Sequence, residues 1–184
     1  MIGSMPSVDD APATSPLGGW VLHSGSDQLD LTAMLDRFGL VYRHQVATEG
    51  RAAEMAPGQP CFLLRTDRSR VVGLWAVGEV VGPAEVVPAT MVPAAKGEAT
   101  GDAHRCVEVE LLALDKPIAL DKLIAKAPLS TSELATWDQH PNPLRLGPAE
   151  VRAIEAIEFW LTEPTDDQRR AFDQLLAAED AELA

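Results

Sequence analysis

Cysteine, histidine and aromatic side chains are all scarce in this chain of 184 residues. The two cysteines, Cys61 and Cys106, fall in strand-like segments and read as buried free thiols rather than a disulfide framework. The four histidines, His23, His44, His104 and His140, are scattered, and none has a second His or Cys at ligand spacing, so no metal site is expected. There is no Gly-rich loop followed by Lys-Ser/Thr, because Gly73 and Gly78 lie within a strand-like run. There is no Gly-x-Ser-x-Gly elbow. His23-Ser24-Gly25-Ser26-Asp27 gathers His, Ser and Asp locally, but catalytic triads are assembled in space rather than in sequence. These absences predict no cofactor and no catalytic residues. No apolar run approaches the roughly 20 residues a membrane helix needs, so no membrane partner is expected. No charged-then-apolar leader is found, which makes the cytoplasm the expected location.

Positive charge is also in short supply: the net charge is −13. That total argues against a general electrostatic grip on nucleic acid. Its distribution is uneven, however. Between Arg37 and Arg70 six Arg face Glu49, Glu54 and Asp67, a local balance of +3. From Glu150 to Ala184 ten acids face Arg152, Arg169 and Arg170, a balance of −7. A modestly basic face beside an acidic tail remains compatible with a phosphate chain.

The apolar pattern is organised around Pro57–Gly82. Cys61-Phe62-Leu63-Leu64 and the run Val71–Val81, joined by Thr66-Asp67-Arg68-Ser69, predict a hairpin that Gly82-Pro83 ends. The second strand is too apolar for a sheet with one wet face, and its glycines suggest bulges or bends. Around it lie a strand at Gly19–His23 and a helix at Leu31–Phe38, capped by Asp30 and stopped by Gly39. Further strands are expected at Leu40–His44, Arg105–Leu114 and Leu144–Leu146. Residues 83–103 read as a long loop. Pro148 suits the first position of a helix reaching Leu161. Thr165 and Gln168 form a capping box for a last helix from Asp166 to about Ala178. The division is a disordered leader at 1–17, one domain at 18–162 and an acidic C-terminal helix at 163–184.

Four Trp, four Phe and one Tyr make up the aromatic set. Trp20, Phe62 and Trp75 sit within strands, as core residues do. Tyr42 and Trp137 sit near element ends, beside polar and Pro-containing loops. Two rings so placed can sandwich a planar ligand, or can simply pack.

The order of these segments resembles that of EVE domains. Trp20-Val21-Leu22-His23-Ser24 is similar to their opening strand, Tyr42 stands where they carry a Trp, and Met55 and Gly58 follow. Phe62–Thr66, Val72–Val80, Val107–Leu111, Lys116-Pro117-Ile118 and Asn142-Pro143-Leu144-Arg145-Leu146 continue the match, which covers about Gly18 to Leu161. The family belongs to the PUA-like superfamily with the YTH domains. The resemblance implies an α+β fold, a bent β-barrel of five to six strands flanked by helices. It also implies a non-enzymatic module that binds DNA or RNA through one base, expected to be modified. Carried across, the base pocket would comprise His23, Ser24, Gly25, Tyr42, Thr66 and Trp137, and Arg43, Arg65, Arg68 and Arg145 would hold phosphates. The chain departs from the family pattern at His23 for Lys, at Tyr42 for Trp, and at Arg43-His44-Gln45-Val46 for Gly-Val-Arg-Asn. Those departures, with the net charge, motivate the alternative of a small-molecule or protein-interaction module on the same fold.

Overall fold

The computed structural model describes residues 16–24, 31–46, 49–67, 71–88 and 104–183. The chain is α+β. Six strands form one mixed sheet: β1 Gly19–Ser24, β2 Leu40–Gln45, β3 Pro60–Arg65, β4 Gly73–Val87, β5 His104–Ala119 and β6 Leu144–Leu146. Their order is β2-β5-β4-β3-β1-β6. Strands β1 and β3 are parallel, and the other pairs are antiparallel. Among the described residues five helices accompany them: α1 Leu31–Phe38, α2 Glu49–Ala52, α3 Leu120–Ile124, α4 Pro148–Glu155 and α5 Asp166–Leu183. Two 3-10 segments, Leu129–Thr131 and Glu133–Gln139, link α3 to β6.

The central hairpin forms as its apolar pattern dictates. β3 pairs with β4 from Pro60↔Glu79 to Arg65↔Gly73. Alternate side chains of β1 and β3 enter two different cores. Trp20, Leu22, Cys61 and Leu63 join a cluster with α1 and β2, while Val21, Phe62 and Leu64 join one with α3, β6 and α4. Both faces of the central strands are therefore dry, which explains their lack of polar alternation. Cys61 and Cys106 are buried free thiols.

The expected barrel form is not reproduced as a closed ladder: β2 and β6 stand at opposite edges of an open sheet. The sheet bends instead through register shifts in β4, between Leu74 and Ala76 and between Val80 and Ala84. Such bulges turn a strand and increase its twist. They also let β4 run on past Gly82-Pro83 to Val87, where the sequence pattern had placed a stop. Between Ile118, opposite Leu74, and Ala113, opposite Ala76, β5 absorbs the extra residues and continues through Pro117. The expected loop is thus shorter at its start, and residues 89–103 lie outside the described residues.

Helix α4 ends at Glu155 rather than Leu161. The competing interaction is an unpaired stretch of β5. β2 reaches only Leu112, and Trp160–Thr162 takes the next positions: Asp115 N–H donates to Trp160 C=O at 2.9 Å and Thr162 N–H to Ala113 C=O at 2.8 Å. The last helix starts with the expected box, Thr165 N–H to Gln168 Oε1 and Gln168 N–H to Thr165 Oγ1. Gln168 also donates to the carbonyls of Leu35 and Asp36, and Ala171, Phe172 and Leu175 pack on the core. Gly39, with φ +70, ends α1 where a Cβ would meet Pro164. Asp30, the expected cap of α1, lies outside the described residues.

A Cβ at Gly78 would lie 1.8 Å from the Glu110 carbonyl oxygen. Neither backbone can move without disturbing the central pair β4–β5. Gly78→Ala is expected to lower the unfolding free energy in urea by about 2–3 kcal/mol. A stability equal to the parent protein would show that the two strands lie farther apart.

Candidate functional site

Asn142 sits between Pro141 and Pro143, with a cis bond to Pro143, and its side chain is buried. Its Oδ1 accepts from the His23 N–H at 3.2 Å. Its Nδ2 donates to the His23 carbonyl at 3.0 Å and to the Gln45 carbonyl at 3.4 Å. β1 and β2 are not neighbours in the ladder, yet this one carboxamide serves backbone groups at the carboxyl ends of both. Such groups must find partners when buried, and a primary amide has both donors and an acceptor to supply them.

Two imidazoles lie beside the clasp. His44 is fully buried, and its Nδ1 lies 2.7 Å from the Gln45 carbonyl, which assigns the proton to Nδ1. Burial pushes its pKa down to about 4; the Gln45 hydrogen bond opposes this and His23 adds to it. Burial also lowers His23, against a hydrogen bond to the His140 backbone. The His23 ring meets Trp137 edge-on, with centroids 5.7 Å apart. The Nε2 atoms of His23 and His44 are buried without a hydrogen-bond partner among the described residues. Both rings are therefore neutral at pH 7.

Next to His23, the Ser24 carbonyl accepts from both the N–H and the Oγ1–H of Thr66, each at 3.0 Å. Arg65 lays its guanidinium 4.7 Å from the Trp75 ring centroid, and Trp75 Nε1 donates to Val71 C=O at 2.8 Å. The segment carrying Trp137 and Asn142 is braced from α2. Arg51 makes a two-point contact with Glu133 at 2.6 and 2.9 Å and donates to Pro143 C=O at 2.9 Å. Glu133 also accepts from the Arg145 N–H. Burial opposes ionisation of Glu133, but the hydrogen bonds from Arg51 and the Arg145 backbone outweigh it and hold the carboxyl below its usual range.

Of the residues expected to line the site, His23 and Trp137 are in ring contact, and Thr66 is hydrogen-bonded to the backbone of the adjacent Ser24, whose partner on β3 is Arg65. Gly25 and Arg68 lie outside the described residues. Tyr42 is elsewhere: it is 5% exposed and its ring neighbours are Phe38 and Phe172, at 5.4 Å each. Phe172 comes from α5, whose acidic composition hides an apolar stripe, and the register shift between Val41 and Arg43 seats Tyr42 beneath it. Arg43 is buried and ion-paired with Glu108 at 3.3 Å and Glu179 at 3.1 Å. Arg145 pairs with Glu54, opposite Trp20 rather than His23. Sequence reasoning had not assigned roles to His44, Arg51, Glu133 or Asn142. The Pro-Asn-Pro triplet was the signal for the last of these; nothing local pointed to the others. Trp160, 74% exposed over a groove that includes Lys116 and Lys122, was also missed because the helix was expected to include it.

The fold and these residues define an α+β domain with one bent mixed sheet, in which His23 at the end of β1 meets Trp137 of the 3-10 segment Glu133–Gln139. No protein-family model matches the chain, and no curated protein does. Among solved structures it is similar to protein PSPTO5229 from Pseudomonas syringae, with TM-score 0.54 and 18% identity over 74% of this chain and 97% of that one. A protein from Pseudomonas putida gives TM-score 0.54 and 19% identity over 74% and 97%. A hypothetical protein from Leishmania major gives 0.54 and 16% over 76% and 93%. At such identities the likeness is one of fold alone.

His44 gives the site a pH signature. Its folded pKa lies below the unfolded value, so the unfolded state binds the extra proton. Stability is complete above pH 6.5 and falls as pH drops toward 4, by about 3 kcal/mol for this group. In urea unfolding, His44→Gln should lose less stability than the parent protein across that window, by about this total. Parallel profiles would place His44 in contact with solvent or an acid.

Proposed function

We propose that the chain is a non-enzymatic nucleic-acid-binding module that holds one base, expected to be modified, at the carboxyl ends of β1 and β3. The observation that carries this reading is the edge-on contact of the His23 and Trp137 rings at the carboxyl end of β1, where Thr66 hydrogen-bonds the Ser24 carbonyl and the Arg65–Trp75 stack lies on the neighbouring strands. The site offers what a planar heterocycle requires. Trp137 is partly exposed, the His23 imidazole beside it is a neutral hydrogen-bonding group, and Arg65 is a cation on the neighbouring strand. Single bases splayed from a strand are recognised by such stacking and edge hydrogen bonds. The reading includes a PUA-like, bent-barrel form of the sheet, as the resemblance to EVE domains implies. The Asn142 bridge between β1 and β2 supports that form, because it joins two strands the ladder leaves apart. Of the arginines expected to hold phosphates, Arg65 carries the proposed role by its place over the Trp75 ring, and Arg43 and Arg145, which pair with Glu108, Glu179 and Glu54, leave it.

Trp137→Ala is expected to weaken binding of a single-stranded oligonucleotide with a modified base about ten- to a hundredfold. Its melting temperature should change little, because the ring is only partly buried. Affinity of the parent protein should decline with salt, through only one or two phosphate contacts. Binding that is unchanged by the substitution, or insensitive to salt, would contradict the proposal.

A further inference from the structure

Helix α5 covers a second site, remote from His23. A cavity of about 240 Å³ lies between α5 and the bent β4–β5 pair. Leu40, Tyr42 and Val109 form its buried part, and Phe172 lines it from the helix. Its rim is formed by Val81 and Leu176, each 42% exposed, with Glu108 and Glu110 beside Arg43. Tyr42 keeps its hydroxyl buried and without a hydrogen-bond partner among the described residues. A buried hydroxyl without a partner is unfavourable, so it is a natural point of attachment.

From this geometry we propose that the cavity binds a small single-ring molecule carrying a cationic amine. Size sets the first limit: a cavity of roughly 150 Å³ is enough to take benzene, so this one accommodates one substituted ring and not a fused dye or a polymer. Its floor is aromatic and aliphatic: the Tyr42 and Phe172 rings, tilted with centroids 5.4 Å apart, line it with Leu40 and Val109. Charge sets the second limit. The single Arg43 guanidinium is paired with both Glu108 and, from α5, Glu179, and Glu110 also lines the cavity, so carboxylates outnumber cations around it. An anionic ligand meets repulsion there, and an ammonium meets a partner. Burial, then Glu179, push the Tyr42 hydroxyl up to about 12, against Arg43 and Arg37, so it stays a neutral donor and acceptor.

The test uses the full chain and three probes of one size: phenethylamine, its neutral alcohol analogue and phenylacetate, followed by ligand-observed NMR and calorimetry. Saturable one-to-one binding is expected, in the order amine, alcohol, carboxylate. Leu176→Trp, an exposed rim substitution, should abolish it without lowering the melting temperature. Glu110→Gln should erase the preference for amine over alcohol. Tyr42→Phe should weaken the amine about three- to tenfold. The inference is overturned if no probe saturates, if phenylacetate binds as tightly as the amine, or if Leu176→Trp binds like the parent protein.

Discussion

The Asn142 carboxamide hydrogen-bonds the backbone of β1 at His23 and of β2 at Gln45, and the arrangement of the whole site follows from that bridge. Without ladder bonds between β1 and β2, only this side chain ties the backbones of their carboxyl ends across the gap among the described residues. It holds the segment with Trp137 against His23, and Arg51 with Glu133 fixes the same segment from α2. Buried amide bonds of this kind are modest individually. Their removal, however, strands the His23 N–H and carbonyl in a place water reaches poorly, which is the larger effect; the Gln45 carbonyl keeps its bond from His44.

Curvature supplies the second constraint. β4 and β5 are 15 and 16 residues long, and bulges rather than chain breaks bend them. One face of the bend takes α1 and α5, the other α3, β6 and α4. The two sites described lie at different places on this frame. The His23 corner collects neutral hydrogen-bonding groups and a ring face; the cavity under α5 collects aromatic rings and surplus carboxylate. Their chemistries differ enough that neither depends on the other.

Much of this was legible in the sequence where a local rule governs. The β3–β4 hairpin followed from two apolar runs around a polar turn, α1 from its apolar spacing and Gly39, and α5 from the Thr165–Gln168 box. The strand at Leu144–Leu146 was also legible. What the sequence concealed is tertiary. Gly82-Pro83 reads as a stop, but a bulge carries β4 through it. Trp160 reads as helical, but β5 has free backbone groups that it satisfies. Tyr42 reads as a pocket wall because it sits near a polar element end, and the apolar stripe of an acidic helix settles its packing instead. In the candidate site, His23, Ser24 and Thr66 were singled out only through the resemblance to EVE domains, and Trp137 also by its place near an element end. The roles of His44, Arg51 and Glu133 depend on contacts between residues far apart in the chain, which no spacing rule reveals.

The most direct measurement is a backbone and side-chain NMR titration of the full chain with a single-stranded oligonucleotide carrying one modified base. The account predicts perturbations centred on His23, Ser24, Thr66, the Trp137 indole and the Asn142 side-chain amide, with Tyr42 and the α5 resonances unmoved. Perturbations confined to α5 or spread evenly over the surface, or none at saturating oligonucleotide, would contradict it.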